Sequence, residues 1–99
     1  MYEKALALNP DFAPAANNLA WILLVKKEDV NRALDLAKRA VEVAALPSFL
    51  DTLAEAYYVN GLYDQALKAI GEALDKATEN REYLIRQREK FRDALEGKR

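Results

Sequence analysis

The sequence repeats itself at an interval of about 34 residues, and this repetition limits the folds that the chain can adopt. The pair Leu19-Ala20 returns as Leu53-Ala54 34 positions later, and Ala40 returns as Ala73 after 33 positions. A repeat of this length is one supersecondary unit, which buries its apolar face against neighbouring units. β-Branched residues are few and scattered, which argues against a sheet. We therefore expect stacked units built from helices.

Residues 47–80 show the unit most clearly, as two amphipathic helical patterns joined by a short turn. Before the turn, apolar residues at the spacing i, i+3, i+4 and i+7 mark one face of a helix: Leu50, Leu53, Ala54 and Tyr57. After the turn, the same kind of spacing continues in Ala66, Leu67, Ile70, Ala73, Leu74 and Ala77. The pattern predicts an antiparallel helical hairpin.

The turn of this hairpin contains Gly61 at the point where the first helix must end. Glycine adopts the left-handed C′ conformation without the penalty that a Cβ atom brings. Three small residues, Ala54, Ala66 and Ala73, fall where two antiparallel helices would cross. Because small side chains let helix axes approach to the short end of the usual ~8–10 Å range, we expect close packing.

These spacings resemble a tetratricopeptide repeat, whose unit carries W-x2-L-G-x2-Y, then A-x3-F, then A and P. The chain supplies Leu50-x2-Leu53-Ala54-x2-Tyr57, then Ala66-x3-Ile70, then Ala73. It departs from the family pattern at Leu50, Ala54 and Thr78. The resemblance implies an all-α fold of antiparallel helical hairpins, stacked as a right-handed α-solenoid.

The resemblance also divides the chain, which we expect to form one domain over residues 1–99. The expected parts are a second helix of a truncated repeat (1–10), two repeats (11–46 and 47–80), and a capping helix with its tail (81–99). Because the first part lacks its partner helix, we expect the chain to be a fragment of a longer array. Expected helices are 2–8, 12–26, 30–44, 48–60, 63–77 and 81–96.

Three helix starts carry candidate caps, and the first of these is Asp11, before the helix expected at residue 12. Asp29 follows a turn without glycine and is expected to cap the helix that begins at residue 30. Pro47 suits a first helical turn, and Ser48-x-x-Asp51 has an approximate capping-box spacing.

The composition argues against catalysis and against cofactors. The chain has no His and no Cys, so the usual general base, the thiolate nucleophile and the softer metal ligands are missing. Ser48 is the only serine. Asp51 and Glu55, at i and i+4, could form a carboxylate pair, but a solvated helix face is the expected explanation. We expect no catalytic residue, no metal ligand and no cofactor.

Charge and hydropathy exclude two further classes of partner. The formal net charge is −1, which gives no drive toward nucleic acid or anionic membranes. No apolar run approaches the ~20 residues that span a bilayer, so no membrane insertion is expected. No motif in the sequence specifies a compartment.

The resemblance points to a non-enzymatic module that binds a peptide or partner helix in a concave groove lined by first helices. The groove positions that it implies on the main hairpins are Asn17, Asn18, Trp21, Leu24, Val25, Ser48, Asp51, Thr52, Glu55, Tyr58 and Val59. The capping helix would add Ile85, Arg86 and Glu89.

Trp21 is the most informative of these residues, and two interpretations of it stay open. It could anchor a ligand, since its ring is apolar and carries one N–H donor. Alternatively, it could pack against Asp51, Glu55 or Tyr58 of the next hairpin. If the groove is open, the carboxylates beside aromatic residues predict a ligand with basic and apolar character. Arg86 could instead neutralise those carboxylates.

Two other hypotheses compete with ligand binding. The segment could be structural and self-assembling, or it could be a spacer in an enzyme or a membrane-anchored protein. For self-assembly we expect a homodimer through the N-terminal edge, where Tyr2, Ala5 and Leu6 would expose apolar surface. The competing expectation is a monomer with a frayed first turn.

Overall fold

A computed structural model describes residues 13–97, which form five α-helices and no strand. The helices are α1 (Ala13–Lys26), α2 (Val30–Val43), α3 (Pro47–Val59), α4 (Tyr63–Lys76) and α5 (Arg81–Gly97). This part of the chain is 85% helical. The prediction of an all-α fold is confirmed, and each helix end lies within one residue of its expected position. None of these five helices combines the length and the hydropathy needed to cross a bilayer.

The helices pack as successive hairpins. Each packs on the next along the chain, α1 on α2 through α4 on α5, and α1 also contacts α3. The helices α1, α3 and α5 begin at residues 13, 47 and 81, so the 34-residue interval of the sequence is also the interval of the structure. This packing is that of an all-α helical repeat. The expected helix at residues 2–8 lies outside the described residues.

Alanines form the contact between the two crossing helices of each hairpin. Ala54, Ala66 and Ala73 are fully buried, as their expected place at the helix crossing requires. The corresponding residues of the first hairpin, Ala20, Ala33 and Ala40, are also fully buried. Larger apolar side chains, among them Leu50, Ile70 and Phe91, fill the space around these contacts.

Both hairpin turns use the same backbone hydrogen bonds. In the second hairpin, the Gly61 N–H donates to Tyr58 O and the Leu62 N–H donates to Tyr57 O, at 3.0 and 2.8 Å. These two bonds define the Schellman motif, and Gly61 has a φ of 79°, as predicted. In the first hairpin, Lys27 takes the position of glycine with a φ of 56°. A non-glycine residue therefore carries the left-handed conformation in that turn.

Two of the predicted side-chain caps are wrong, and the third, Asp11, lies outside the described residues. Asp29 stands before α2 but has a φ of 45° and makes no side-chain cap hydrogen bond. Pro47 occupies the first turn of α3, as expected, and the residue that precedes the helix is Leu46, which also makes no side-chain cap bond. Because α3 begins at Pro47, Ser48 lies inside the helix, where its carbonyl accepts a bond from Thr52 Oγ1 at 3.2 Å.

Side chains also tie consecutive hairpins together. Asn60 Nδ2 donates to Val30 O at 3.0 Å and to Ala56 O at 2.8 Å, which joins the end of α3 to the start of α2. Lys76 Nζ donates to Ala45 O at 3.2 Å. The bonds to Val30 O and Ala45 O link side chains of the second hairpin to the backbone of the first hairpin and of the connection that follows it.

Candidate binding groove

The outward face of α1 is open and largely apolar. Trp21 is 39% exposed and Val25 is 65% exposed, with Ile22 and Asn18 exposed beside them. Asn17 is half-buried. Of the predicted groove residues on this helix, Leu24 does not belong to the surface, because it is only 3% exposed and packs in the core. Ile22 was not predicted, although it follows Trp21 directly in the sequence.

The corresponding face of α3 is covered. Asp51 and Thr52 are buried, and the Glu55 side chain is only 16% exposed. Tyr58 and Val59 are half-buried and pack against the core. The expectation that Asp51 and Glu55 form a solvated helix face is therefore wrong, and the reason is that α5 lies against them.

Gln87 of α5 makes the contact that closes this face. Its Nε2 donates to Asp51 Oδ1 at 3.2 Å and to Glu55 Oε1 at 3.1 Å. Gln87 is itself buried. Sequence reasoning missed this residue, although its spacing was a signal: it lies three residues after Leu84 and four before Phe91, on the apolar stripe of the helix.

A second residue of α5, Lys90, neutralises Glu55. Its Nζ lies 2.9 Å from Glu55 Oε1 and 4.8 Å from the centre of the Tyr58 ring. Lys90, rather than Arg86, is thus the cation that meets the α3 carboxylates. Arg86 is exposed, as are Ser48 and Glu89, whereas Ile85 is half-buried against the core.

Tyr58 takes part in an aromatic cluster that fixes α5. Its ring centre lies 5.1 Å from that of Phe91 and 5.7 Å from that of Tyr63, both at tilted angles. Tilted pairs at these distances are favourable beyond the area that they bury. Much of the Tyr58 ring therefore packs against α5 and holds it in place, whereas Trp21 of the first hairpin keeps an exposed surface.

The buried carboxylate of Asp51 has a perturbed proton affinity. Burial raises the pKa of Asp51, while the hydrogen bonds from Gln87 and from Tyr83 act in the opposite direction. Burial and the neighbouring Asp51 carboxylate raise the pKa of Tyr83 to about 12. Tyr83 therefore stays protonated near neutral pH.

The cavities beside these residues range from about 130 Å³ to about 420 Å³, and the largest of those described is lined in part by Tyr83 and Arg86. One of about 130 Å³ lies next to Asp51 and is lined by Pro47, Ser48, Asp51, Glu79, Asn80, Tyr83 and Leu84. Pockets for small ligands usually span ~300–1,000 Å³, so this space suits a single side chain. A cavity of about 310 Å³ lies between α2 and α4, over Leu50, Leu53 and Tyr57.

The comparisons with known proteins agree with the repeat architecture. Residues 1–35 match a family model described as tetratricopeptide repeat. This segment includes all of α1 and the first turns of α2. A separate comparison with curated proteins finds no match to this chain.

Proposed function

Because this chain carries a tetratricopeptide repeat, we propose that it is a non-enzymatic interaction module that binds a peptide or a partner helix. The family in general mediates protein–protein interactions and is generally non-enzymatic. The binding surface is the groove lined by first helices. Its open part is on α1, and its covered part is on α3.

One observation carries this proposal, namely the exposure of Trp21 and Val25 on a helix whose other face is in the core. Exposed apolar residues that form a patch mark surfaces for a partner. Tryptophan is also among the residues that contribute most to binding, because it buries a large area and still offers an N–H donor. Asn18 supplies a polar group beside it.

The contacts on α3 refine the chemistry of the ligand. Asp51 already accepts from Gln87, and Glu55 already pairs with Lys90. The apolar surface of α1 is therefore the primary anchor, and a basic group of the ligand is secondary. Val59, Thr52 and Arg86 contribute less, since the first two are packed and Arg86 stands apart from both carboxylates.

Selection from a random peptide library against the whole chain tests this function. Binding of the recovered peptides is measured by isothermal titration calorimetry for every variant, because Trp21 is the only tryptophan and its fluorescence is lost in Trp21→Ala. We expect Trp21→Ala to weaken the selected peptides at least about tenfold, as a central aromatic anchor does. Val43→Ala is the matched control, since Val43 is an exposed apolar residue on α2. Equal affinities for both variants would contradict the groove assignment.

Self-association is the second candidate, and the same exposed residues favour it. A second copy could cover the apolar face of α1, and the resulting two-fold dimer would be a closed assembly. Tyr2, Ala5 and Leu6, the residues predicted for this interface, lie outside the described residues. Sedimentation equilibrium at hundreds of micromolar tests the proposal. A strictly monomeric mass would refute it, and so would a dimer that Val25→Ser and Leu6→Ser leave unchanged.

A further inference from the structure

We infer that Glu55 and Tyr58 form a recognition site for a lysine side chain, which Lys90 of the same chain occupies when no ligand is bound. The inference rests on the proposed function and adds the chemistry of one subsite of the groove. The ligand would be a peptide segment with a lysine near its apolar anchor.

The geometry around Lys90 is that of ammonium recognition. Its Nζ is 2.9 Å from Glu55 Oε1 and 4.8 Å from the centre of the Tyr58 ring. A carboxylate and the face of an aromatic ring, the latter within about 6 Å, are the two features that attract an alkylammonium ion. Glu55 is mostly shielded from water, which strengthens its attraction for a cation.

The carboxylate keeps its position without Lys90. Glu55 Oε1 also accepts a bond from Gln87 Nε2 at 3.1 Å, and Gln87 is buried. The Tyr58 ring is held by Phe91 and Tyr63. The site is therefore preorganised by residues other than its present occupant, so an incoming lysine would meet it ready formed.

Lys90 is the part of this arrangement that can leave. Its side chain is 41% exposed, and ion pairs at this level of exposure are held weakly. The helix that carries it is fixed elsewhere, because Leu84 and Phe91 are buried in the core. A ligand lysine can thus replace Lys90 by a change of side-chain rotamer, while α5 remains in place.

The test opens the site by Lys90→Met, which keeps an unbranched side chain and removes the charge. Glu55 and Tyr58 are followed by NMR while N-acetyl-lysine methylamide is added, and N-acetyl-norleucine methylamide serves as the uncharged probe. We expect the variant to respond at concentrations at least about tenfold lower than the unaltered chain, with no response to the norleucine probe. Adding Glu55→Gln to this variant should abolish the response.

One control variant and one replacement variant complete the test. Arg92→Met removes an exposed cation from the same helix and should behave like the unaltered chain. Lys90→Gln is the second opened variant if Lys90→Met fails to fold, as judged by circular dichroism. Equal responses of the opened and unaltered chains, or equal responses to both probes, would overturn the site.

The inference and the proposed function can fail separately. If selected peptides bind through Trp21 but an opened variant ignores the lysine probe, only the lysine site is wrong. If no peptide can be selected on the unaltered chain, the groove function fails, whatever the lysine probe does.

Discussion

The two hairpins share one internal design but differ in what surrounds them. Their crossing alanines correspond, with Ala20 fully buried in one and Ala54 in the other. Outside this centre the same positions diverge, since Trp21 is exposed whereas Glu55, 34 residues later, is covered by α5. Position within the repeat decides which face a residue lies on. Position within the stack decides whether that face is open.

A polar position of the repeat, four residues before Trp21 and Glu55, shows the same contrast. Asn17 and Asp51 are 34 residues apart, on α1 and α3 respectively. Asp51 receives the Gln87 amide at 3.2 Å, whereas Asn17 Oδ1 is buried and meets no donor among the described residues. At this position of the repeat, the helix that follows the second hairpin supplies a polar partner, through Gln87.

The prediction with the largest expected effect tests whether the contacts that cover α3 contribute more to the free energy of unfolding than the exposed residues of α1 do. Phe91 is fully buried, so Phe91→Ala should cost about 3–5 kcal/mol through lost burial and the cavity left behind. Trp21→Ala, at an exposed position, should cost less than about 1 kcal/mol. Urea denaturation measures both. Similar midpoints for the two variants would mean that α1 and α3 are equally covered.

The next prediction tests the equivalence of the two centres. Ala54→Leu and Ala20→Leu should each cost about 1–3 kcal/mol, because added methylenes force the crossing helices apart. Ala66→Leu belongs to the same class. Ala94→Leu, at a half-buried position on α5, is the control and should change little. Thermal melting that shifts for only one of the two hairpins would show that their crossings differ.

A smaller effect is expected from exchanging the residues of the two turns. Nothing lies within 4 Å of a Cβ atom added at Gly61, so Gly61→Lys should cost about 1 kcal/mol through its positive φ alone. Lys27→Gly should raise stability by less than about 1 kcal/mol, since glycine also loses more freedom on folding. Melting temperatures that move in the same direction for both variants would contradict this account.

The smallest effect concerns Asp51, and its sign follows from proton linkage. Burial raises its folded pKa above the ordinary value of 3.8, so the folded state binds the proton more tightly than the unfolded state. Stability therefore falls as pH rises from 3.8 through the raised folded pKa, and the charged carboxylate is a cost at neutral pH. Asp51→Asn, which copies Asn17, should slightly raise the melting temperature there.

The pH dependence supplies the control for this last prediction. Below the ordinary aspartate pKa of 3.8, the side chain at position 51 is neutral in both the aspartate and the asparagine chains. The higher melting temperature of the asparagine variant should therefore disappear. A gain that persists in acid would have another origin. A loss of stability at neutral pH would mean that the Gln87 bond requires the charged acceptor.

The fold could be predicted from the sequence because its signals are local. Apolar spacing and the interval between Ala20 and Ala54 depend on nothing beyond one repeat, and they placed every described helix within one residue. The cap predictions failed for local reasons as well. Pro47 starts α3 earlier than Ser48 implied, and Asp29 has a left-handed backbone in place of the extended one that a capping residue usually adopts.

The site was less predictable because it depends on contacts between distant helices. Trp21 and Val25 could be assigned to an outward face, since they follow or flank the core positions of α1. Asp51 and Glu55 could not be assigned correctly, because their environment is set by Gln87 and Lys90, about 35 residues later. In the sequence those two residues look like part of a charged, solvated surface.

The side-chain hydrogen bonds between hairpins have a further consequence, which concerns the rate of folding. They join residues that are 30 to 36 positions apart, from Asn60 to Val30 and from Gln87 to Asp51. Each can form once a single repeat length of chain has closed, and the entropy of closing a loop grows only slowly with its length. The contacts within each helix are local, and helical chains rich in local contacts fold in microseconds to milliseconds. A hairpin can thus form as soon as its own residues are available, and the next hairpin can then assemble on its surface.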